Sequence, residues 1–388
     1  INQVMFRIRY LLIFLLVAAG FVSAFLSGYF LRSFIDSRSD EFLVLNQAYS
    51  ILLNHAYLDL PESKSLEYGM IRGMLQASGD PYAIFQEPVQ HELESNSLQG
   101  SFGGIGLELT RNQDGDILVY PIVGSPAHHA GIQDGDQLIS VDDLNLSPET
   151  PFDDIKAAIR GPVGDIVKIS VIRNPDDTHL DFPIRRALIH LPSVTWHIAP
   201  DNPTIGIINV NIIAESTSEE IQKAIKEMQG KGSNLFILDL RDNGGGLLTA
   251  GVDIAKLFLE NGSILEQQYR GKKVETFDVK SPGQFFDLPL ILLINHNTAS
   301  AAEIVAGAIQ VDDRALLVGQ PTFGKDSIQL IFNLQDDSSL HVTAAKWWIP
   351  GLSPALTDIG LQPDIAIIPD DSGEDLVMKA AIQSLLER

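Results

Sequence analysis

Between residues 205 and 310, short apolar runs alternate with stretches of helical periodicity, and this alternation constrains the fold more than any other feature of the chain. IGIINV (205–210), LFILDL (235–240) and LILLIN (290–295) read as strands, with helices expected near 216–229, 247–259 and 300–310. Strands separated by helices pair in parallel, so this segment should form an α/β core. Open α/β sheets collect functional groups at the carboxyl ends of their strands. Here those ends are Leu240-Arg241-Asp242-Asn243-Gly244-Gly245-Gly246 and the stretch from Asn295 to Ser300.

Upstream the pattern differs. From about residue 98, IGLEL, ILVYPIV, QLISVDD and VKISVIR alternate between glycine turns, with a helix expected over Phe152–Arg160, which makes a compact β-rich module. Residues 40–88 read as helical: Phe42, Leu45, Ala48, Ile51, Leu52 and Ala56 share one face, and Asp80-Pro81-Tyr82 closes the region. The expected organisation is therefore an N-terminal segment (1–35), a helical segment (36–97), the β-rich module (98–186) and an α/β core with a C-terminal helix (187–388). The helices at 40–80 and 374–388 are candidates for a homodimer contact.

With 388 residues, 45% of them hydrophobic and 20% charged, the chain can bury a sizeable core. Its net charge of −23 argues against a nucleic-acid partner, because phosphate binding needs clustered Lys and Arg. The absence of cysteine excludes disulfides, a thiol nucleophile and zinc–thiolate sites. From Tyr10 to Leu31 there is no charged residue, a run longer than the roughly 18 apolar residues that mark a membrane span. Arg7 and Arg9 precede it and favour a cytoplasmic N-terminus, which places the body on the extracytoplasmic side, periplasmic or extracellular, of a bacterial-type membrane. Cleavage after Val22-Ser23-Ala24 would leave FLSGYFL on the new N-terminus, so an uncleaved membrane anchor is preferred to a signal peptide.

Two residues carry the chemical expectation. Ser300 follows LILLINHNTA directly, which puts its hydroxyl at the end of a strand and near the positive end of a helix. Ser300-Ala301-Ala302-Glu303 also fits a capping box, in which serine merely satisfies helix amides. Lys325 tips the balance towards chemistry. Lys325, Ser327 and Gln329 alternate on one face of a strand, so Gln329 can direct the amine, and Phe323, Ile328, Leu330 and Ile331 predict an apolar setting. Desolvation lowers a lysine pKa, and a neutral amine can act as a base. Asp326 opposes this by favouring the ammonium, though it is expected on the other face. The glycines at 244–246 allow backbone amides to turn inward as an oxyanion hole, with the Ala301 amide as second donor. A phosphate loop is disfavoured because no Gly-Lys-Ser/Thr follows, and His296 lacks a carboxylate partner.

Seven stretches in order resemble the carboxyl-terminal processing peptidases, the tail-specific serine proteases of the S41 family with an embedded PDZ domain. They are FGGIGLEL, GSPAHHAGIQDGDQLISVDD, IRGPVGDIVKISVIR, LDLRDNGGGLL, NTASAAEIVAGAIQ, VGQPTFGKDSIQ and GLQPDI. The resemblance implies a ClpP/crotonase-like α/β core with Ser300 as nucleophile, Lys325 as general base and Gln329 as its orienting residue. It also implies an oxyanion hole from Ala301 and the Gly245/Gly246 turn, with no metal or other cofactor. Gly244, Ala302 and Asp326 depart from the usual proline, serine and glycine, and only Asp326 bears on the pH dependence.

The β-rich module fits a PDZ fold that takes an extended peptide as an added strand. Gly104, Ile105, Gly106 and Leu107 should line its groove opposite the helix at 152–160, favouring protein substrates with apolar C-termini. Family resemblance gives Arg160 a part in coupling a bound tail to the core. Gly104-Ile105-Gly106 is also a fragment of a dinucleotide fingerprint, but position 109 is Leu and no βαβ unit follows. The rival readings are a membrane-anchored PDZ adaptor with an inactive core, a crotonase-like acyl-CoA enzyme, and a chymotrypsin-like protease, whose glycine turn would need a serine that 243–246 lacks.

Overall fold

In a computed structural model of the chain, the described residues are 20, 23, 25–27, 42–112, 115–353, 356, 357, 359–368, 370 and 373–387. The run from Tyr10 to Leu31 lies largely outside them. Among the described residues no helix is long and apolar enough to cross a membrane. The chain divides into two compact units, Ile1–Ile71 and Arg72–Arg388.

Helices α1 (Leu43–His55) and α2 (Ser63–Ser78) arise where helical periodicity predicts them. None of the residues of α1 is buried, so the face that carries Leu45, Ile51 and Leu52 lies open instead of covering a core. Helix does not continue to residue 88. The Asp80 carboxylate accepts the Tyr82 amide at 3.0 Å and both the amide (3.2 Å) and the hydroxyl (3.1 Å) of Thr343. That anchor holds the next residues extended as β1 (Ile84–Gln86). A further helix, α3 (Pro88–Gln99), then starts on a proline and stops at Gly100, whose φ of 70° lies in the left-handed region that glycine favours.

The β-rich module follows as β2 (Ser101–Gly104), β3 (Leu107–Arg111), β4 (Ile117–Pro121), α4 (Pro126–Ala130), β5 (Asp136–Val141), β6 (Leu144–Asn145), α5 (Phe152–Ile159), β7 (Ile166–Arg173), β8 (Thr178–Arg185) and β9 (Ala187–His190). Its antiparallel sheet has the order β3-β4-β5-β7-β8, with β6 beside β5. Val167, Ile169 and Val171 alternate into the module's core, where they meet Ile155 and Ile159 of α5 and the fully buried Ile105. The strand expected from Ile105 begins two residues later. Gly104 belongs to β2, which pairs with β9 so that Ser101 faces His190 and Gly104 faces Ala187.

The remainder comprises β10 (Val194–Ile198), β11 (Ile205–Val210), α6 (Thr217–Gly230), β12 (Leu235–Asp239), α7 (Leu248–Phe258), β13 (Ser263–Tyr269), β14 (Glu275–Asp278), β15 (Leu290–Ile294), α8 (Ala301–Val311), β16 (Leu316–Gly319), β17 (Ser327–Asn333), β18 (Ser339–Trp348), β19 (Ile365–Ala366) and α9 (Leu376–Leu386). The central sheet runs β10-β11-β12-β15-β16-β19, parallel from β11 onward. Alternate side chains feed two cores. Ile208, Phe236, Leu238 and Leu292 pack with α6, α7 and α8, whereas Ile207, Ile237, Ile291 and Leu293 pack with Val377, Ala381 and Leu385 of α9. A second sheet, β1-β18-β13-β14 with β17 on β18, carries the Lys325 segment to the carboxyl ends of β12 and β15.

Candidate active site

Ser300 caps α8 with φ 56° and ψ −120°, a left-handed backbone that costs a non-glycine residue about 1–3 kcal/mol. Buried hydrogen bonds hold it there. The Ala299 amide donates to the Asn243 carbonyl (2.9 Å), and the Ser300 amide donates to Glu303 Oε2 (2.8 Å). The Glu303 amide donates to the Ser300 carbonyl at 2.8 Å, and the side chains of Ser300 and Glu303 complete the capping box expected at this helix start. Ser300, Lys325, Gln329 and Gly246 share a cleft of 240 Å³, walled by Leu98, Leu247, Ile304, Ile328 and Trp347 and by the polar Glu94 and His341. A larger cavity of 710 Å³ beside α9 has no serine, threonine or cysteine in its lining.

Lys325 lies two residues before β17, and its Nζ donates to Gln329 Oε1 at 2.9 Å. A bulge between Ile328 and Gln329 interrupts the strict alternation expected of this strand, yet the lysine still reaches the glutamine. Gln329 Nε2 donates in turn to the Tyr82 carbonyl, and the Tyr82 ring centroid lies 5.2 Å from Nζ. Burial lowers the Lys325 pKa below the ordinary lysine value, while the carboxylates of Glu303, Glu94 and Asp80 pull it upward. The apolar setting has in part the source expected: Ile328 and Ile331 line the cleft, whereas Phe323 and Leu330 are exposed and Leu98, Leu247, Ile304 and Trp347 complete the walls. Asp326 points away, accepting Lys346 Nζ and the Thr357 hydroxyl, both at 2.9 Å. Among the described residues, no hydrogen bond joins Lys325 Nζ to Ser300 Oγ.

Glu303 is fully buried. Besides the Ser300 amide it accepts the Thr322 hydroxyl (2.6 Å) and the amides of Gly324 (2.7 Å) and Lys325 (3.0 Å). Burial raises its pKa, and these four donors oppose the rise. The capping-box spacing marks this glutamate in the sequence but not its bonds to the lysine loop.

The glycine turn needs its glycines for space. A Cβ on Gly245 would lie 2.8 Å from the Ala299 carbonyl oxygen and 2.9 Å from Ser300 Cβ, and one on Gly246 would lie 2.1 Å from the Ile213 carbonyl oxygen. The Gly245 amide does not face the cleft as the sequence suggested, because it donates to Asn243 Oδ1 at 2.8 Å. Among the described residues the amides of Gly246 and Ala301, two of the three expected donors, have no hydrogen-bond partner in the protein. His296 is exposed in the loop after β15.

In the β-rich module, the carbonyls of Ile105 and Gly106 accept the amides of Ala127 (2.9 Å) and Ile122 (3.0 Å). In a trans peptide the next N–H points the opposite way, which turns the amides of Gly106 and Leu107 to the other side of the loop. The Ile105 side chain is core, so only its backbone can meet a ligand. Arg160 stacks on Phe102 of β2 at 4.1 Å, close to where α3 packs on α5, and burial lowers its pKa against the charges of Glu92 and Asp153. Sequence reasoning passed over Asn243, Tyr82, Glu94 and His341. The last two lie 3.4 Å apart, and burial lowers the His341 pKa. Among the described residues no group of three or more histidine, aspartate or glutamate side chains is placed to hold a metal ion.

Residues 204–367 match peptidase family S41, and residues 117–173 match a PDZ domain. The carboxyl-terminal-processing protease of a Picosynechococcus species is 33% identical over 349 residues, spanning 87% of this chain and 83% of that protein. The carboxy-terminal processing protease CtpA of Bacillus subtilis is 33% identical over 344 residues, spanning 86% of this chain and 71% of that one. The solved structure of a photosystem II D1 C-terminal processing protease covers 83% of this chain and is covered over 87% of its own length, at 26% identity and a TM-score of 0.46. An α/β core carrying an inserted PDZ domain is thus accompanied by the sequence of a serine peptidase. The chain belongs to the carboxyl-terminal processing proteases of peptidase family S41.

Proposed function

We propose that the protein is an exported, membrane-anchored serine endopeptidase that cleaves proteins recognised by their C-terminal tails, with Ser300 as nucleophile and Lys325 as general base. The observation that carries this reading is a lysine rendered less basic by burial and tethered by Gln329, in the same cleft as a serine held in a strained turn at a helix N-terminus. Neutral Lys325 takes the Ser300 proton as Oγ attacks the scissile carbonyl carbon. The amides of Gly246 and Ala301 hold the resulting oxyanion. As the C–N bond breaks, the lysine returns the proton to the leaving amine, and water activated by the same amine then hydrolyses the ester. Gln329 keeps Nζ aimed throughout.

Substrate delivery rests on the PDZ domain. A tail added to β3 would set its carboxylate on the amides of Gly106 and Leu107, beside the apolar residues of α5, with Arg160 linking the groove to the core. The anchor at Tyr10–Leu31 and the extracytoplasmic location follow from the hydropathy and charge of the N-terminal segment. The open apolar face of α1 favours self-association, which sedimentation in detergent would reveal as a dimer.

The test is cleavage of an unstructured protein ending in apolar residues by the full-length protein in detergent, alongside Ser300→Ala and Lys325→Ala. Both substitutions should lower the rate by at least about 10⁴-fold with folding intact. Activity of the wild type should rise with pH as Lys325 loses its proton and level off above its pKa. A wild type that binds the tail without cutting it would instead favour the adaptor reading.

A further inference from the structure

Asn243 is fully buried, and the mechanism above does not use it. Its side-chain Nδ2 donates to the Val210 carbonyl at the end of β11 (2.7 Å), its Oδ1 accepts the Gly245 amide (2.8 Å), and its backbone carbonyl accepts the Ala299 amide (2.9 Å). One residue therefore grips the end of a core strand, the glycine turn and the residue before the nucleophile.

The consequence for the oxyanion hole follows from peptide geometry. The Gly245 carbonyl accepts the Ile213 amide at 2.9 Å. Because the peptide unit is planar and trans, the Gly246 N–H must point away from Ile213, and Gly246 lines the cleft with Ser300. The Gly245 amide fixes the preceding peptide plane through Asn243, so both planes that aim the Gly246 donor are set. The other donor, at Ala301, follows a turn whose first amide is also held by Asn243. We propose that Asn243 is a positioning residue that holds the Gly246 and Ala301 amides in register and so governs oxyanion stabilisation without touching substrate. The inference rests on the Ser300/Lys325 reading and assigns a specific part of that reaction to a residue outside the dyad.

The test compares full-length wild type, Asn243→Ala and Asn243→Asp in detergent for peptide cleavage across pH and for covalent capture of the serine by a fluorophosphonate. Complete loss of one oxyanion donor costs about 10²–10³ in kcat, so misplacing one should cost about 10- to 100-fold in Asn243→Ala. In Asn243→Ala the capture rate should fall in parallel, KM should stay within about twofold, and the pH midpoint of the acid limb should not move, because no charge near Lys325 changes. Asn243→Asp keeps the acceptor for Gly245 but sets an acceptor oxygen against the Val210 carbonyl and adds a charge, so it is read for kcat alone, which should stay below that of the wild type.

In Asn243→Ala, unchanged kcat, a change confined to KM, or a shifted acid limb would overturn the inference. Loss of the cooperative melt in both variants would assign Asn243 to the fold alone and also overturn it. A wild type that neither cleaves nor is captured would overturn the dyad reading itself, so the two failures are distinguishable.

Discussion

The two sides of the cleft that holds Ser300 and Lys325 are built by different means. On the Ser300 side, positions are fixed by buried hydrogen bonds from main-chain amides: Ala299 to the Asn243 carbonyl, Gly245 to the Asn243 side chain, and Ser300 to the Glu303 carboxylate. On the other side, Lys325 is aimed by one bond to Gln329, and its usable form depends on desolvation outweighing three carboxylates. The first arrangement forms or fails with the fold. The second is a balance of charges that single substitutions can move while the fold persists. Glu303 belongs to both, since it accepts the Ser300 amide and the amides of the lysine loop.

The strongest way to break the contrast is therefore Glu303→Gln. Its carboxylate accepts four donors, and an amide would face some of them with its own N–H groups. Stability should fall by about 2–4 kcal/mol in denaturant unfolding, and kcat by about 100-fold. A loss of stability with kcat intact would confine Glu303 to the fold.

A smaller effect is expected from Glu94→Gln. Glu94 favours the lysine ammonium, so removing its charge lowers the Lys325 pKa and frees the base at lower pH. The acid limb of kcat/KM should move to lower pH by about one unit or less. A limb that stayed in place or moved upward would deny Glu94 its part in the balance. The smallest change should come from Asp326→Gly. The sequence singles out Asp326 as a threat to the base, but it is already engaged by Lys346 and Thr357. Its removal should shift the limb by less than about 0.3 unit, and a larger shift would restore the reading that its carboxylate acts on Lys325.

The same contrast explains what could be read from the sequence. The apolar runs at 205–210, 235–240 and 290–295 became parallel strands because their alternate residues fill two cores, and Ser300 follows directly from where β15 ends. Local pattern was enough for these elements. It did not reveal that Asp80 pins the chain to Thr343 and ends the helical region, or that Tyr82 and Glu94, more than 200 residues before Lys325, reach the cleft. Those contacts depend on how β17 and β18 cross the sheet, which carries no local signature. The Gly245 amide was misplaced for a related reason: three successive glycines leave open which peptide plane turns inward, and only the Asn243 side chain decides it.

The four-residue ladder between β2 and β9 has a consequence for how such a chain could have been assembled. Everything from Ile105 to Arg186 enters and leaves through two adjacent antiparallel strands, with Gly104 opposite Ala187. From the standpoint of the α/β core, that excursion is a single long hairpin. Its closure depends on the stem and only weakly on what the stem carries. A module of another size or fold could be spliced onto the same two ends without re-threading the sheet below, so what the stem carries could change over evolution while the α/β core keeps its frame.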